Sequence, residues 1–170
     1  EEAIEIAGYN KVAPTSETIT IKVTGNVINF YYNKRTDLSY TVNYLEQGTD
    51  KVLATQKVVT NQEYGKKVTE NAIEIDGYNK VAPTSAAITL DKENQVINFY
   101  YTKKTDLSYI VKYLEVGSKK ELHAPKTVNN QTFGDEVNEE AVAITGYNLQ
   151  SEAQQSITIT TGENEIIFWY

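Results

Sequence analysis

Gly77-Tyr78-Asn79, then Ile88-Thr89-Leu90, then Val96-Ile97-Asn98-Phe99-Tyr100-Tyr101 make up one phrase that the chain carries three times. Upstream it reads Gly8-Tyr9-Asn10, Thr18-Ile19-Thr20-Ile21 and Val27-Ile28-Asn29-Phe30-Tyr31-Tyr32. Downstream it reads Gly146-Tyr147-Asn148, Ile157-Thr158-Ile159 and Ile166-Ile167-Phe168-Trp169-Tyr170. Tyr9, Tyr78 and Tyr147 stand 69 residues apart with no insertion between copies. A constant spacing of that size marks each copy as one structural unit. Residues 1–35 then hold the C-terminal half of a unit, and residues 36–104 and 105–170 each hold a whole one.

The units alternate as strands do. Leu38, Tyr40, Val42 and Tyr44 share one face and Ser39, Thr41 and Asn43 the other, a period of two that marks a half-buried strand. Leu107, Tyr109, Val111 and Tyr113 repeat the pattern. A turn at Gln47-Gly48-Thr49-Asp50 leads to a second strand from Val52 to Asn61. Thr18 to Lys22 and Val27 to Tyr32, joined by Val23-Thr24-Gly25-Asn26, read as a β-hairpin. Its counterparts turn at Asp91-Lys92-Glu93-Asn94 and Thr161-Gly162-Glu163-Asn164. Tyr64, Val68 and Ala72 are spaced by four, which predicts a short helix or helical turn. The fold class expected is therefore β-rich α+β. The connector Thr102-Lys103-Lys104-Thr105-Asp106 lacks Gly and Pro, which favours units drawn out end to end.

Thirteen tyrosines, no cysteine and no methionine among 170 residues give a β-rich composition without disulfides. The net charge of −7 argues against a nucleic-acid partner, because phosphate binding needs clustered Lys and Arg. No apolar run reaches the ~20 residues of a membrane span.

Enzymatic and metal-binding patterns are missing. His123 is the only histidine, and Ala54 occupies its position in the other whole unit, so it reads as an exposed loop residue. Glu1-Glu2 and Glu139-Glu140 read as solvated acidic faces, since calcium needs several convergent oxygens. No Gly-rich phosphate loop is present. No catalytic residue, metal or cofactor is expected. Neither unit offers a Lys–Asn pair for a crosslink between first and last strands: Asn43 accompanies Asn98, and Lys112 accompanies Ile167. Lys57 and Lys126 read as surface lysines of the second strand.

In each last strand Ile28, Ile97 and Ile166 point inward with Phe30, Phe99 and Phe168. Tyr31, Tyr100 and Trp169 then face the other side of the sheet. A solvent-side aromatic is a platform for a sugar ring, with an apolar face and, in Tyr and Trp, a polar tip. The competing reading is cover by a neighbouring element or cross-strand pairing.

Val42-x-Tyr44, Gly48, Gly65, Gly77-Tyr78 and Val96-x-x-Phe99-Tyr100-Tyr101 resemble the MucBP (mucin-binding protein) repeat of Gram-positive surface adhesins. Val111-x-Tyr113, Gly117, Gly134, Gly146-Tyr147 and Phe168-Trp169-Tyr170 match it again. The resemblance implies tandem β-grasp (ubiquitin-like) modules with mixed sheets and with first and last strands side by side. It implies an extracellular, cell-wall-anchored protein, and host mucin glycoprotein or glycans as partners. The function expected is an elongated stalk that projects a distal adhesive domain, its partners being neighbouring repeats. The alternative is weak, multivalent glycan binding by the repeats themselves. The half-unit 1–35 lacks the strands that complete its sheet. It is expected to need contacts beyond its own chain and to leave the whole units unaffected if deleted.

Overall fold

In the computed structural model, which describes residues Glu1–Tyr170, every regular element is a strand. In chain order these are β1 (Tyr9–Val12), β2 (Tyr31–Lys34), β3 (Leu38–Glu46), β4 (Val52–Gln62), β5 (Lys67–Asn71), β6 (Tyr78–Lys80) and β7 (Ser85–Thr89). They continue as β8 (Gln95–Lys103), β9 (Leu107–Leu114), β10 (Glu121–Gln131), β11 (Glu136–Glu140), β12 (Gln154–Thr158) and β13 (Glu165–Trp169). The protein is all-β with mixed sheets, so the α+β expectation is corrected. Of the residues read as a helical turn, Val68 lies in β5 opposite Ile88 of β7, and Tyr64 and Ala72 flank that strand. Gly65 at φ 76° breaks any helix at its start, and β-branched Val68 and Thr69 suit the pleat better.

The period-two runs form the central strands as read. In the last copy β9 pairs antiparallel with β10 and parallel with β13, in the order β10-β9-β13. The last strand thus lies beside the first. Tyr109, Val111 and Tyr113 of β9 are buried with Ile166 and Phe168 of β13 and with Ile159 and Tyr170. Tyr113 stacks on Phe168 with ring centroids 5.9 Å apart. Leu38, Tyr40, Val42, Tyr44, Ile97 and Phe99 are buried in the same way in the preceding copy. There the Tyr44 and Phe99 rings stack at 6.4 Å. Full burial of a side chain such as Phe99 or Phe168 stabilises by roughly 1.5–3 kcal/mol.

The expected hairpins do not form. β7 pairs with β5 and β12 with β11, while β8 and β13 join the sheets of β3 and β9. The short turn therefore carries the chain from one sheet to another. Side chains hold it in place of ladder bonds: the Asp91 amide donates to Gln95 Oε1 at 3.0 Å and the Thr160 amide to Asn164 Oδ1 at 2.9 Å. Val68 opposite Ile88 and Val137 opposite Ile157 are favourable apolar cross-strand pairs.

The same logic explains residues 1–35. The β5–β7 ladder is represented there by the single Glu2–Ser16 bridge, and Thr18 to Lys22 forms no strand. Ile21 and Val27 stay exposed and Phe30 only half-buried, whereas Phe99 and Phe168 are buried. Of the run read as its last strand only Tyr31–Lys34 is β2, which pairs with β1 as β8 pairs with β6 one repeat later. By compactness the chain divides into Glu1–Ile73 with Val81–Tyr100, and Glu74–Lys80 with Tyr101–Tyr170. The half-unit belongs to the first of these. The Tyr64 amide donates to the Arg35 carbonyl at 2.9 Å, and Lys34–Glu63 and Arg35–Glu93 ion pairs reinforce the contact. Its expected independence from the next repeat is therefore corrected.

Candidate functional site

The buried polar group that repeats with the same geometry is a tyrosine, a lysine and a glutamate on neighbouring strands. Tyr109 on β9 donates to Glu139 on β11 at 2.5 Å, and Lys126 on β10 donates to both carboxylate oxygens at 2.7 and 2.8 Å. Tyr40 donates to Glu70 at 2.6 Å, with Lys57 bonded at 2.7 and 2.9 Å. The Glu70 and Glu139 side chains are only 12% and 10% exposed, and each lysine about half exposed. Burial works against ionisation of both carboxyls, but the bonds from lysine and tyrosine outweigh it and hold them below the usual glutamate range. Burial, followed by the bond to the carboxylate, pushes Tyr40 and Tyr109 up to about 12. A proton-transfer role needs a group poised near neutrality, and these shifts move the other way. The cluster ties β11 to β9 and β10, and β5 to β3 and β4. Glu139 is therefore no solvated face, and Lys57 and Lys126 are not merely surface lysines.

The solvent-side aromatics stand in unlike surroundings. Tyr31 on β2 is 67% exposed, while Tyr100 on β8 and Trp169 on β13 are half-buried. Each lies on the last strand of its own copy, and their surroundings do not repeat. Trp169 lines an open hollow of about 490 Å³ with Val116, Gly117, Lys119 and Gln150. One repeat earlier those positions hold Gln47, Gly48, Asp50 and Val81 beside Tyr100. The hollow's apolar wall, amide and ammonium are thus not repeated chemistry.

Other candidates resolve into local structure. His123 lies on β10, not in a loop, with its ring edge-on to Tyr113 at 5.1 Å. Asn43 donates to Asn98 at 2.9 Å, and Lys112 pairs with Glu165. No group of three or more His, Asp or Glu side chains is placed to hold a metal ion. No helix is long and apolar enough to cross a membrane.

The MucBP domain family matches residues 40–102 and again residues 110–170. Internalin J of Listeria monocytogenes serotype 4b (strain F2365) is 26% identical over 155 residues, 88% of this chain and 17% of that protein. The chain thus spans about a sixth of the length of this curated relative. Among solved structures, the crystal structure of Mub-RV aligns over 78% of this chain and 97% of its own at 13% identity, with a TM-score of 0.27. Domains 3-4 of the Streptococcal High Identity Repeats in Tandem (SHIRT) from a cell surface protein align over 78% and 96% at 11% identity, with a TM-score of 0.31.

Proposed function

This chain belongs to the MucBP domain family, and from that premise we propose that it is a tandem repeat segment of a Gram-positive cell-surface adhesin. In this reading it serves as a stalk holding a distal adhesive domain away from the cell wall, and it is not an enzyme. The observation that carries the reading is a contrast between interior and surface. The Tyr–Lys–Glu cluster and the stacked Tyr–Phe pair recur with the same partners, whereas the surroundings of Tyr100 and Trp169 do not. Repetition that preserves the packing but not the surroundings of these aromatics suits a spacer. The functional division is by repeat, at residues 1–35, 36–104 and 105–170, each whole repeat a β-grasp module. Replacing the segment in its surface protein by unrelated repeats of equal reach tests this. Adhesion should persist, and its loss would overturn the stalk reading.

The second reading, weak glycan binding by the repeats, draws on the Trp169 hollow. There an aromatic ring lies beside the Gln150 amide and the Lys119 ammonium, the combination of apolar face and hydrogen-bonding groups that sugars use. A mucin-glycan array at high display density, with Trp169→Ala as control, distinguishes the two. Signal that vanishes in the variant supports binding.

A further inference from the structure

We propose that the Gly-Tyr-Asn turn of each repeat is a socket for the aromatic ring of an adjoining repeat's aromatic–glycine turn. The socket is filled twice in this chain and presented open at Gly146. The first filled case is Gly8, where a Cβ atom would meet Cγ, Cδ1 and Cε1 of Tyr64 at 2.3–2.4 Å. The second is Gly77, where it would meet the same three atoms of Phe133 at 2.4 Å. Near-equal distances to three successive ring atoms place the ring's face, not its edge, against the glycine. No real Cβ comes so close, so the contact exists only where the side chain is absent.

Backbone bonds close around each pair in the same pattern. The Lys104 amide donates to the Gly77 carbonyl at 2.9 Å, and the Phe133 amide donates to the Lys104 carbonyl at 2.9 Å. Arg35 repeats this between Gly8 at 2.8 Å and Tyr64 at 2.9 Å. The residue joining two repeats is thus clasped through both its N–H and its C=O. Tyr78 adds an edge-on contact to Phe133 at 5.7 Å. Tyr64 and Phe133 fill equivalent sockets, so the ring's face is recognised and the hydroxyl is not. Each ring precedes a glycine of positive φ, Gly65 at 76° and Gly134 at 80°. The partner chemistry is therefore Tyr-Gly or Phe-Gly on a tight turn. Gly146 has the same backbone, φ 86°, with nothing within 4 Å of its added Cβ. The occupant that fits is a further copy of this repeat, because two such copies fill the equivalent places here. The inference stands whether or not the repeats bind glycans.

Gly77 and Gly146 separate backbone strain from ring contact. Alanine at Gly77 or Gly146 meets the same positive-φ penalty, but only Gly77 carries a ring. In the full chain, calorimetry should show Gly77→Ala lowering the transition by several degrees more than Gly146→Ala. In a Phe133→Ala background that excess should disappear. In a chain lengthened by a copy of residues 102–170 after Tyr170, Gly146→Ala should become as damaging as Gly77→Ala. Equal effects of Gly77→Ala with and without Phe133 would overturn the socket. So would a Gly146→Ala effect that does not grow in the lengthened chain. If Phe133→Ala does not fold, the lengthened chain decides, since it keeps Phe133.

Discussion

The Tyr109 hydroxyl and the Glu139 carboxylate, thirty residues apart in sequence, meet at 2.5 Å in the interior of the last repeat. Lys126 donates to both oxygens of the same carboxylate. Glu139→Gln keeps the shape and removes the charge. It should destabilise the second compact unit by roughly 1–3 kcal/mol at neutral pH, the range for a hydrogen bond to a charged group and its buried partner. Urea melts of the variant and the parent measure it.

The same cluster sets both pH limbs. Glu70 and Glu139 are held below their usual value of 4.5 in the fold. Their contribution is complete above that value and is lost as pH falls through the lower folded one. Tyr40 and Tyr109 are raised from 10.0 to about 12. Their contribution is complete below 10 and is lost as pH rises towards 12. Tyr40→Phe with Tyr109→Phe should flatten the alkaline limb of a stability–pH curve; an unchanged limb would refute this assignment.

Phe99→Ala should cost about 3–5 kcal/mol, the range for truncating a buried Phe. Phe99 is 1% exposed and stacked on Tyr44. Tyr100→Ala, on the opposite face of the strand, should cost much less. Thermal melts of the two variants compare them directly, and equal losses would contradict the two faces.

Removing residues 1–34 should destabilise the first compact unit and leave the second unchanged. The deletion strips Gly8 from beneath Tyr64 and takes away the Lys34 partner of Glu63. Hydrogen exchange resolved by segment reads it: protection near Tyr64 should fall, and protection in β9 and β13 should hold.

The sheet core was legible because burial there is written in period two. Leu38, Tyr40, Val42 and Tyr44 are all buried as their alternation requires. Strand pairing was harder to read. A short turn after Ile88-Thr89-Leu90 signals a hairpin locally, but the apolar partner of Ile88 is Val68, twenty residues upstream. Tyr64, Val68 and Ala72 imitate helical spacing although Val68 belongs to a strand. Glu139 looked solvated beside Glu140 because strand residues alternate and only one of the pair turns inward. A signal for the cluster was nonetheless present. Tyr40, Lys57 and Glu70 recur one repeat later as Tyr109, Lys126 and Glu139, and joint recurrence of an acid, a base and a phenol marks a shared contact. For Tyr31, Tyr100 and Trp169 the alternation gave the face, but what surrounds each depends on residues remote in sequence.

The parallel pairing of β9 with β13 has a mechanical consequence. Leu107 begins one strand and Trp169 ends the other, and the two run in the same direction, with Val111 opposite Ile166 and Tyr113 opposite Phe168. A tensile force applied through those two ends slides the strands along each other. It does not peel them open from one end. The inter-strand bonds are then strained together in shear, and rupture requires many to fail at once. A surface protein exposed to fluid flow would gain resistance from this register alone, without any disulfide.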